Sequence, residues 1–336
     1  ELDRCPALRL IIVIGDGEPP TPEHVDTFRW ADMLNGSRAP GPIKIIGSDM
    51  ASIMYTSGST GKPKGVVLSH TNLIVGASSV AGYIGNRPSD VILAALPFSF
   101  DAGLSQLTTG LISGASVVLH DYFLPGDVVR IVQQESVTGI TGVPPLWIQM
   151  AEQNWPEGST DSVRYFANTG GKMPVPVLQR LREIFPKAEP FLMYGLTESF
   201  RSTFLPPSEV DNRPESIGKA IPNAEVLLVN EDGDLAAPGE LGELVHRGPL
   251  VSLGYWNDPE RTAIRFRPAP GQPPEIPNEE LAVWSGDWVR SDDEGYLYFV
   301  GRRDDMIKTS GYRVSPAEVE EVVYSSELVS EVAALG

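Results

Sequence analysis

The stretch Tyr55-Thr56-Ser57-Gly58-Ser59-Thr60-Gly61-Lys62-Pro63-Lys64-Gly65 decides how the rest of the chain is read. Its glycines let backbone amides approach an anion closely. Thr56, Ser57, Ser59 and Thr60 add hydroxyl donors, and Lys62 and Lys64 add charge. Such a composition suits a polyphosphate. It differs from the Walker A loop, because Gly61-Lys62 is followed by Pro63 rather than Ser or Thr and the spacing back to Gly58 is too short. A flexible Ser/Gly linker is the competing reading. It fits poorly, since two of only seven lysines lie within three residues of each other in a chain of net charge −18.

Outward from this loop, short apolar runs alternate with amphipathic stretches. Residues 10–14, 66–68, 91–96, 116–119, 139–141 and 163–167 read as strands. Helices are expected over 21–34, from Ser69 as cap to about residue 84, and over 103–112, 126–135, 144–153 and 174–185. The alternation predicts an α/β domain of helix-covered, mostly parallel sheets. After about residue 215 the texture changes to short strands at 224–229, 242–246 and 284–289, so a β-rich subdomain is expected over 215–300. Residues 267–278 are Pro-rich and read as an exposed loop. The charged break 301–305 precedes a strand or hairpin at 306–314, a helix at 316–325 and a further strand at 329–335. These read as the start of a small α+β domain over 306–336, after a large domain over 1–300. No internal repeats are visible.

The 336 residues include 44 acidic and 26 basic side chains and are 41% hydrophobic. This composition predicts a folded chain of about two domains. The acidity argues against a nucleic-acid or anionic-membrane binder, both of which need clustered positive charge. Cys5 is the only cysteine and the four histidines are scattered, so neither a disulfide nor a zinc site is expected. No apolar run reaches about 18 residues. The expectation is a soluble, cytoplasmic protein with no integral membrane segment.

Three more segments carry chemistry: Tyr194-Gly195-Leu196-Thr197-Glu198, Trp284-Ser285-Gly286-Asp287, and Gly301-Arg302-Arg303-Asp304 with Ile307-Lys308 and Gly311-Tyr312-Arg313. With the loop at 55–65 they resemble, in order, the signatures of the AMP-forming acyl and aminoacyl activating enzymes. That superfamily holds acyl-CoA synthetases, luciferases and peptide-synthetase adenylation domains. The resemblance covers about residues 51–320. It implies activation of a carboxylic acid by ATP and Mg²⁺, release of pyrophosphate, and transfer of the acyl group to a thiol. The thiol is most often that of coenzyme A, or the phosphopantetheine of a carrier protein. The pattern as a whole also resembles the acyl-CoA ligases linked to bacterial exosortase and exopolysaccharide loci.

Carried over by the resemblance, the loop residues from Thr56 to Lys64 hold the phosphates. Thr197 contacts the α-phosphate and Glu198 the metal ion. A hydroxyl and a carboxylate at a turn suit a hard cation wanting oxygen ligands; a solvated surface acid is the plainer reading of Glu198. Tyr194 stacks on adenine or is an ordinary core aromatic. Asn168-Thr169-Gly170-Gly171 follows a strand and resembles the adenine-side loop, with Lys172 where many members carry an acidic or small residue. Asp287 accepts from the ribose hydroxyls, Arg302 lies nearby, and Asp304 matches the hinge.

Some features depart from the pattern. Phe98-Ser99-Phe100-Asp101 falls where many acyl-CoA ligases carry a His, and Asp101 reads equally as a helix cap and as the amine ligand of amino-acid-activating members. Pro145 and Trp147 read as lining the acid pocket, with plain core packing as the alternative for Trp147. The family's late lysine finds no match after Lys308, and a long leading segment is missing. The expectation is therefore an internal fragment impaired in its first half-reaction. An acyl-CoA ligase is the first reading. An amino-acid adenylation domain and a non-catalytic nucleotide-binding scaffold are the alternatives.

Overall fold

The computed structural model describes residues 7–15, 17, 25–34, 41, 43–56, 63–121, 124–302, 307–309, 312–314, 316–324, 329 and 332–334. It divides into two compact units, residues 1–45 and 46–336. In the first, β1 (Leu10–Val13) pairs in parallel with β2 (Asp26–Arg29), and α1 (Trp30–Leu34) follows directly. The helix expected over 21–34 is thus corrected. Asp26 to Arg29 alternates in burial and takes a ladder from β1, a pairing that outweighs weak helical periodicity.

The second unit opens with the antiparallel pair β3 (Met50–Thr56) and β4 (Lys64–Ser69), in which Thr56 lies opposite Lys64. Ser69 caps α2 (His70–Ile84) as its sequence predicts. Its hydroxyl accepts from the Asn72 amide while the Asn72 side chain accepts from the Ser69 amide, so two orphan donors are satisfied reciprocally.

There follow β5 (Val91–Ala94), α3 (Asp101–Ser113), β6 (Ser116–Leu119), α4 (Pro125–Gln134), β7 (Gly139–Gly142), α5 (Pro144–Ala151), β8 (Tyr165–Asn168), α6 (Val175–Ile184) and β9 (Glu189–Tyr194). The strands stand in the order β6-β5-β7-β8-β9, all parallel. This is the helix-covered sheet that the β–α alternation predicts. β10 (Thr203–Leu205) and β11 (Lys219–Ala220) extend it antiparallel beyond β9. Leu93, Ile140 and Phe166, one from each central strand, are essentially inaccessible, and the main core packs around them with Trp147, Leu181 and Phe185. From β5 the chain steps outward to β6 and then returns to the other side of β5 as β7. That reversal opens a crevice beyond the carboxyl ends of β5 and β7, where ligands of open α/β sheets settle.

The β-rich part is one antiparallel sheet of β12 (Glu225–Val229), β13 (Gly242–Arg247), β14 (Phe266–Pro268), β15 (Leu281–Ser291) and β16 (Leu297–Arg302), with α7 (Pro259–Arg265) before β14. β15 is long enough to pair with β14 along its first half and β16 along its second. A hairpin of β17 (Ile307–Thr309) and β18 (Tyr312–Val314) and then α8 (Pro316–Tyr324) follow.

One close approach shapes the crevice. At Gly103 a Cβ would stand 1.9 Å from the Pro97 carbonyl oxygen, so only glycine lets the first turn of α3 lie against the loop after β5. Gly103→Ala is expected to cost about 3 kcal/mol through overpacking, measured by denaturant unfolding. A loss of less than ~0.5 kcal/mol would show that this contact does not constrain the loop.

Candidate functional site

Four loops leave the carboxyl ends of the parallel strands. These loops and the first turns of the helices that follow carry Phe100 and Asp101 after β5, Pro145 and Trp147 after β7, Asn168 to Gly171 at β8, and Tyr194 to Glu198 at β9. The same rim is reached by Lys64, at the start of β4, and by Asp287, within β15. Residues 57–62, which include Ser57, Gly58, Ser59, Thr60, Gly61 and Lys62, and residue Asp304 lie outside the described residues.

Glu198 sits in a single 3₁₀ turn, Thr197–Ser199, with only 5% of its surface exposed. Oε1 accepts from Lys64 Nζ at 3.1 Å and from the Tyr255 hydroxyl at 2.5 Å, and Arg265 Nε lies 3.8 Å away. Burial pushes the carboxyl up, but the Lys64 ammonium, the Tyr255 hydroxyl and the Arg265 guanidinium outweigh it and hold it below the usual glutamate value. Glu198 therefore stays charged, and it is not a solvated surface acid. Tyr255 and Arg265 were not singled out on sequence. Asp258 followed by Pro259 signals the start of α7, but nothing in that signal says which way Tyr255 faces.

Asp287 is the second buried carboxylate. Oδ2 accepts from the Tyr194 hydroxyl at 2.5 Å, and Arg302 Nε lies 3.3 Å from Oδ1. Oδ1 has no hydrogen-bond partner among the described residues despite its burial. Burial raises this carboxyl above the usual aspartate value, and Tyr194 and Arg302 offset the rise only in part. The Tyr194 ring packs near Phe299, with centroids 6.4 Å apart, and its hydroxyl is bound by Asp287.

At the adenine-side loop, Asn168 Nδ2 donates to the Gly171 carbonyl at 2.8 Å, leaving Oδ1 without a partner among the described residues. Gly170 takes a left-handed φ of 76°, and a side chain there would press on Val143 and approach the Phe100 ring. Thr56 Oγ1 is likewise buried and unpartnered among the described residues.

The acid-side residues separate. Phe100 is exposed at the mouth, and Pro145 is exposed on the first turn of α5. Trp147 is wholly buried beneath Gly142, edge-on to Phe166. Asp101 does not hold the N-cap position that its sequence offers. Phe100 holds the N-cap position without a side-chain cap, and Asp101 is the first residue inside α3. It is buried and faces Arg201, with Oδ2 3.8 Å from Nη1. Burial raises its carboxyl, and Arg201 only partly opposes this. Arg201 also donates to Thr169 Oγ1 at 3.0 Å, so one buried guanidinium joins the loops after β5, β8 and β9. A lone Arg after Phe200 carries no sequence pattern that would have found it.

Behind Glu198, His246 of β13 is fully buried. Its Nδ1 lies 3.0 Å from Ser202 Oγ, itself 3.2 Å from Ser199 Oγ in the Glu198 turn. Burial pushes the imidazole down to about 4. The unfolded chain takes up this proton near pH 6.5 and the folded one only near pH 4. Stability therefore falls as pH drops through that window, by about 3 kcal/mol in all. Denaturant melts at pH 7 and pH 4.5 should show this slope, and His246→Gln should lack that share of it. An equal slope in both proteins would exclude His246 as its source.

The family model described as "AMP-binding enzyme" matches residues 2–256. A 2-succinylbenzoate–CoA ligase of Bacillus subtilis is 34% identical over 288 residues, which cover 85% of this chain and 56% of that protein. Tyrocidine synthase 3 of Brevibacillus parabrevis is 31% identical over 316 residues, 92% of this chain and 5% of that protein. The solved structure of the o-succinylbenzoate coenzyme A synthetase of Bacillus subtilis with ATP and magnesium superposes with a TM-score of 0.79 at 32% identity, covering 93% of this chain and 63% of that one. The chain spans about half the length of the curated CoA ligases it matches. With a matched segment of 255 residues, well over half its length, the chain belongs to the AMP-binding enzyme family.

Proposed function

We propose that the chain supplies the nucleotide- and acid-binding residues of an ATP-dependent, AMP-forming carboxylate ligase, acting as an acyl-CoA ligase. The observation that carries this reading is Oδ1 of buried Asp287, which has Arg302 Nε at 3.3 Å but no hydrogen bond among the described residues. A buried carboxylate oxygen short of a hydrogen bond is costly unless a ligand hydroxyl completes it, and the ribose of ATP offers two. In this reading Tyr194 and the loop Asn168 to Gly171 bound the adenine. Thr56 to Lys64 neutralise the phosphates, Thr197 meets the α-phosphate, and Asp304 is the hinge.

Mg²⁺ would find one carboxylate here, Glu198, whose Oε1 already accepts from Lys64 and Tyr255. Among the described residues no three acidic, His or Cys side chains converge on a metal site, and Mg²⁺ characteristically takes one or two carboxylates plus substrate phosphates. When bound, the ion supplies charge neutralisation at the phosphates. A substrate carboxylate oxygen attacks the α-phosphorus of ATP and the bond to pyrophosphate breaks. A thiol then attacks the acyl carbon and AMP leaves. The protein contributes positioning and electrostatics. Among the described residues no helix is long and apolar enough to cross a membrane, and a cytoplasmic location is part of the proposal.

Asp101 bears on the acid. An amine-binding carboxylate should await its cation, whereas Arg201 already faces this one. That supports an acyl over an aminoacyl substrate. The similarity to tyrocidine synthase 3 favours the second reading, transfer to the phosphopantetheine of a carrier protein. Acid-dependent ATP–pyrophosphate exchange tests the proposal. Exchange with amino acids alone would favour the adenylation-domain reading, and no exchange with any acid would favour a scaffold.

A further inference from the structure

Asp287 stands on an irregularity of its own sheet. From Glu243 to Val245, β13 advances two residues, while β15 opposite advances four, from Trp288 back to Trp284. Ser285, Gly286 and Asp287 therefore face the single residue Leu244, and Gly286 takes a left-handed φ of 70°. Bulges of this kind interrupt a ladder and re-aim a side chain. The backbone groups that leave the ladder to β13 must then find other partners.

Side chains supply them. Glu243 Oε1 accepts from the Gly286 amide at 3.0 Å, and Arg265 Nη1 donates to the Trp284 carbonyl at 2.8 Å. Ser285 Oγ accepts from the Asp287 amide at 3.0 Å. Glu243 is only 7% exposed, and Ser285 is fully buried. Arg267 lies over the Trp284 ring at 3.7 Å and stands 3.4 Å from Glu243 Oε2, which holds that carboxylate from its other side. Burying a second acid so close to Asp287 is costly. An unbroken β15 would need neither this acid nor the Arg265 guanidinium on its backbone. Both are accounted for by the bulge, and the bulge by the placing of Asp287. Arg265 also faces Glu198, with Nε 3.8 Å from Oε1, so one guanidinium serves the bulge and the Glu198 turn together.

We propose that Glu243 and Arg265 are positioning residues for nucleotide recognition, holding the bulge of β15 so that the Asp287 carboxylate meets the ribose hydroxyls. Each acts through the backbone of residues 284–286. The proposal rests on the ribose role given to Asp287 above.

The test is calorimetric binding of ATP and of 2′,3′-dideoxy-ATP to the full chain at saturating Mg²⁺. The two nucleotides share base, triphosphate and metal, so the ratio of their dissociation constants isolates the ribose hydroxyls. The unaltered chain should bind ATP at least about tenfold more tightly. Glu243→Met removes the acceptor for Gly286, and Arg265→Met removes the donor to Trp284. Each should bring the ratio towards one by about fivefold or more. Glu243→Gln keeps a carbonyl oxygen for the Gly286 amide and should retain most of the discrimination. Gly286→Ala, whose Cβ would stand 3.1 Å from Arg265 Nη1, strains the same bulge from within and is the further probe should a Met variant fail to melt cooperatively. A merely structural role would weaken both nucleotides alike, and an unchanged ratio in the folded variants would overturn the proposal. Equal binding of the two nucleotides by the unaltered chain would instead remove the ribose role of Asp287, and binding of neither would remove the nucleotide reading; this proposal falls with either.

Discussion

Glu198→Gln is expected to lower acid-dependent ATP–pyrophosphate exchange by about a hundredfold or more, on the scale of removing one preorganised electrostatic group. The substitution keeps the shape of the side chain and a hydrogen bond to Tyr255. It removes the negative charge around which Lys64, Tyr255 and Arg265 are arranged. A hard cation loses its carboxylate, and two positive side chains face each other unopposed. The loss should be accompanied by a higher Mg²⁺ concentration for half-maximal exchange. A folding penalty of about 1–3 kcal/mol is expected beside it. Lys62→Ala should likewise depress MgATP use far more than stability. An unchanged Mg²⁺ dependence in Glu198→Gln would remove this residue from the metal site.

Asp101→Ala is expected to cost about 3–5 kcal/mol of stability, because it leaves the Arg201 guanidinium buried without its counter-charge. Arg201 would keep its bond to Thr169, which does not replace the lost charge. The double variant Asp101→Ala with Arg201→Met should recover a large part of that loss, since replacing a buried pair by apolar groups of similar volume is often nearly neutral. Denaturant unfolding of both single variants and the double one closes the cycle. A coupling below ~0.5 kcal/mol would mean that the two side chains do not act as a pair. Activity adds a second reading: if Asp101 were a free amine ligand, its loss would change acid preference and leave stability nearly untouched.

The two predictions differ in how far their residues could be foreseen. Glu198 and Asp287 belong to contiguous stretches that resemble the family's signatures, and that resemblance is what proposes metal and ribose roles for them. Likewise the capping pair Ser69 and Asn72 and the alternation from residue 91 to 185 are local. A cap needs residues three apart, and a buried strand needs one apolar run. These features were legible because the interactions that decide them lie within a few positions along the chain.

Where pairing partners are distant, local reading failed. Residues 26–29 form a strand only because β1 offers a ladder, and β9 was hidden because Glu189 and Pro190 interrupt its apolar pattern. Asp101 shows the same limit at the site. Its sequence leaves cap and amine ligand equally open, and nothing local announces the charge that it meets in the fold, Arg201, a hundred positions away.

The sequence by itself determined the α/β class and marked the stretches 55–65, 194–198 and 284–287 as the ones to examine, because each depends on residue type and short spacing. Only the tertiary structure decided which charges meet. It set Lys64, Tyr255 and Arg265 on Glu198, Tyr194 and Arg302 on Asp287, and Arg201 on Asp101. The physical reason is that electrostatic partners are chosen by distance and burial in the folded chain, and strand order at the crevice brings together residues that sequence separation keeps apart.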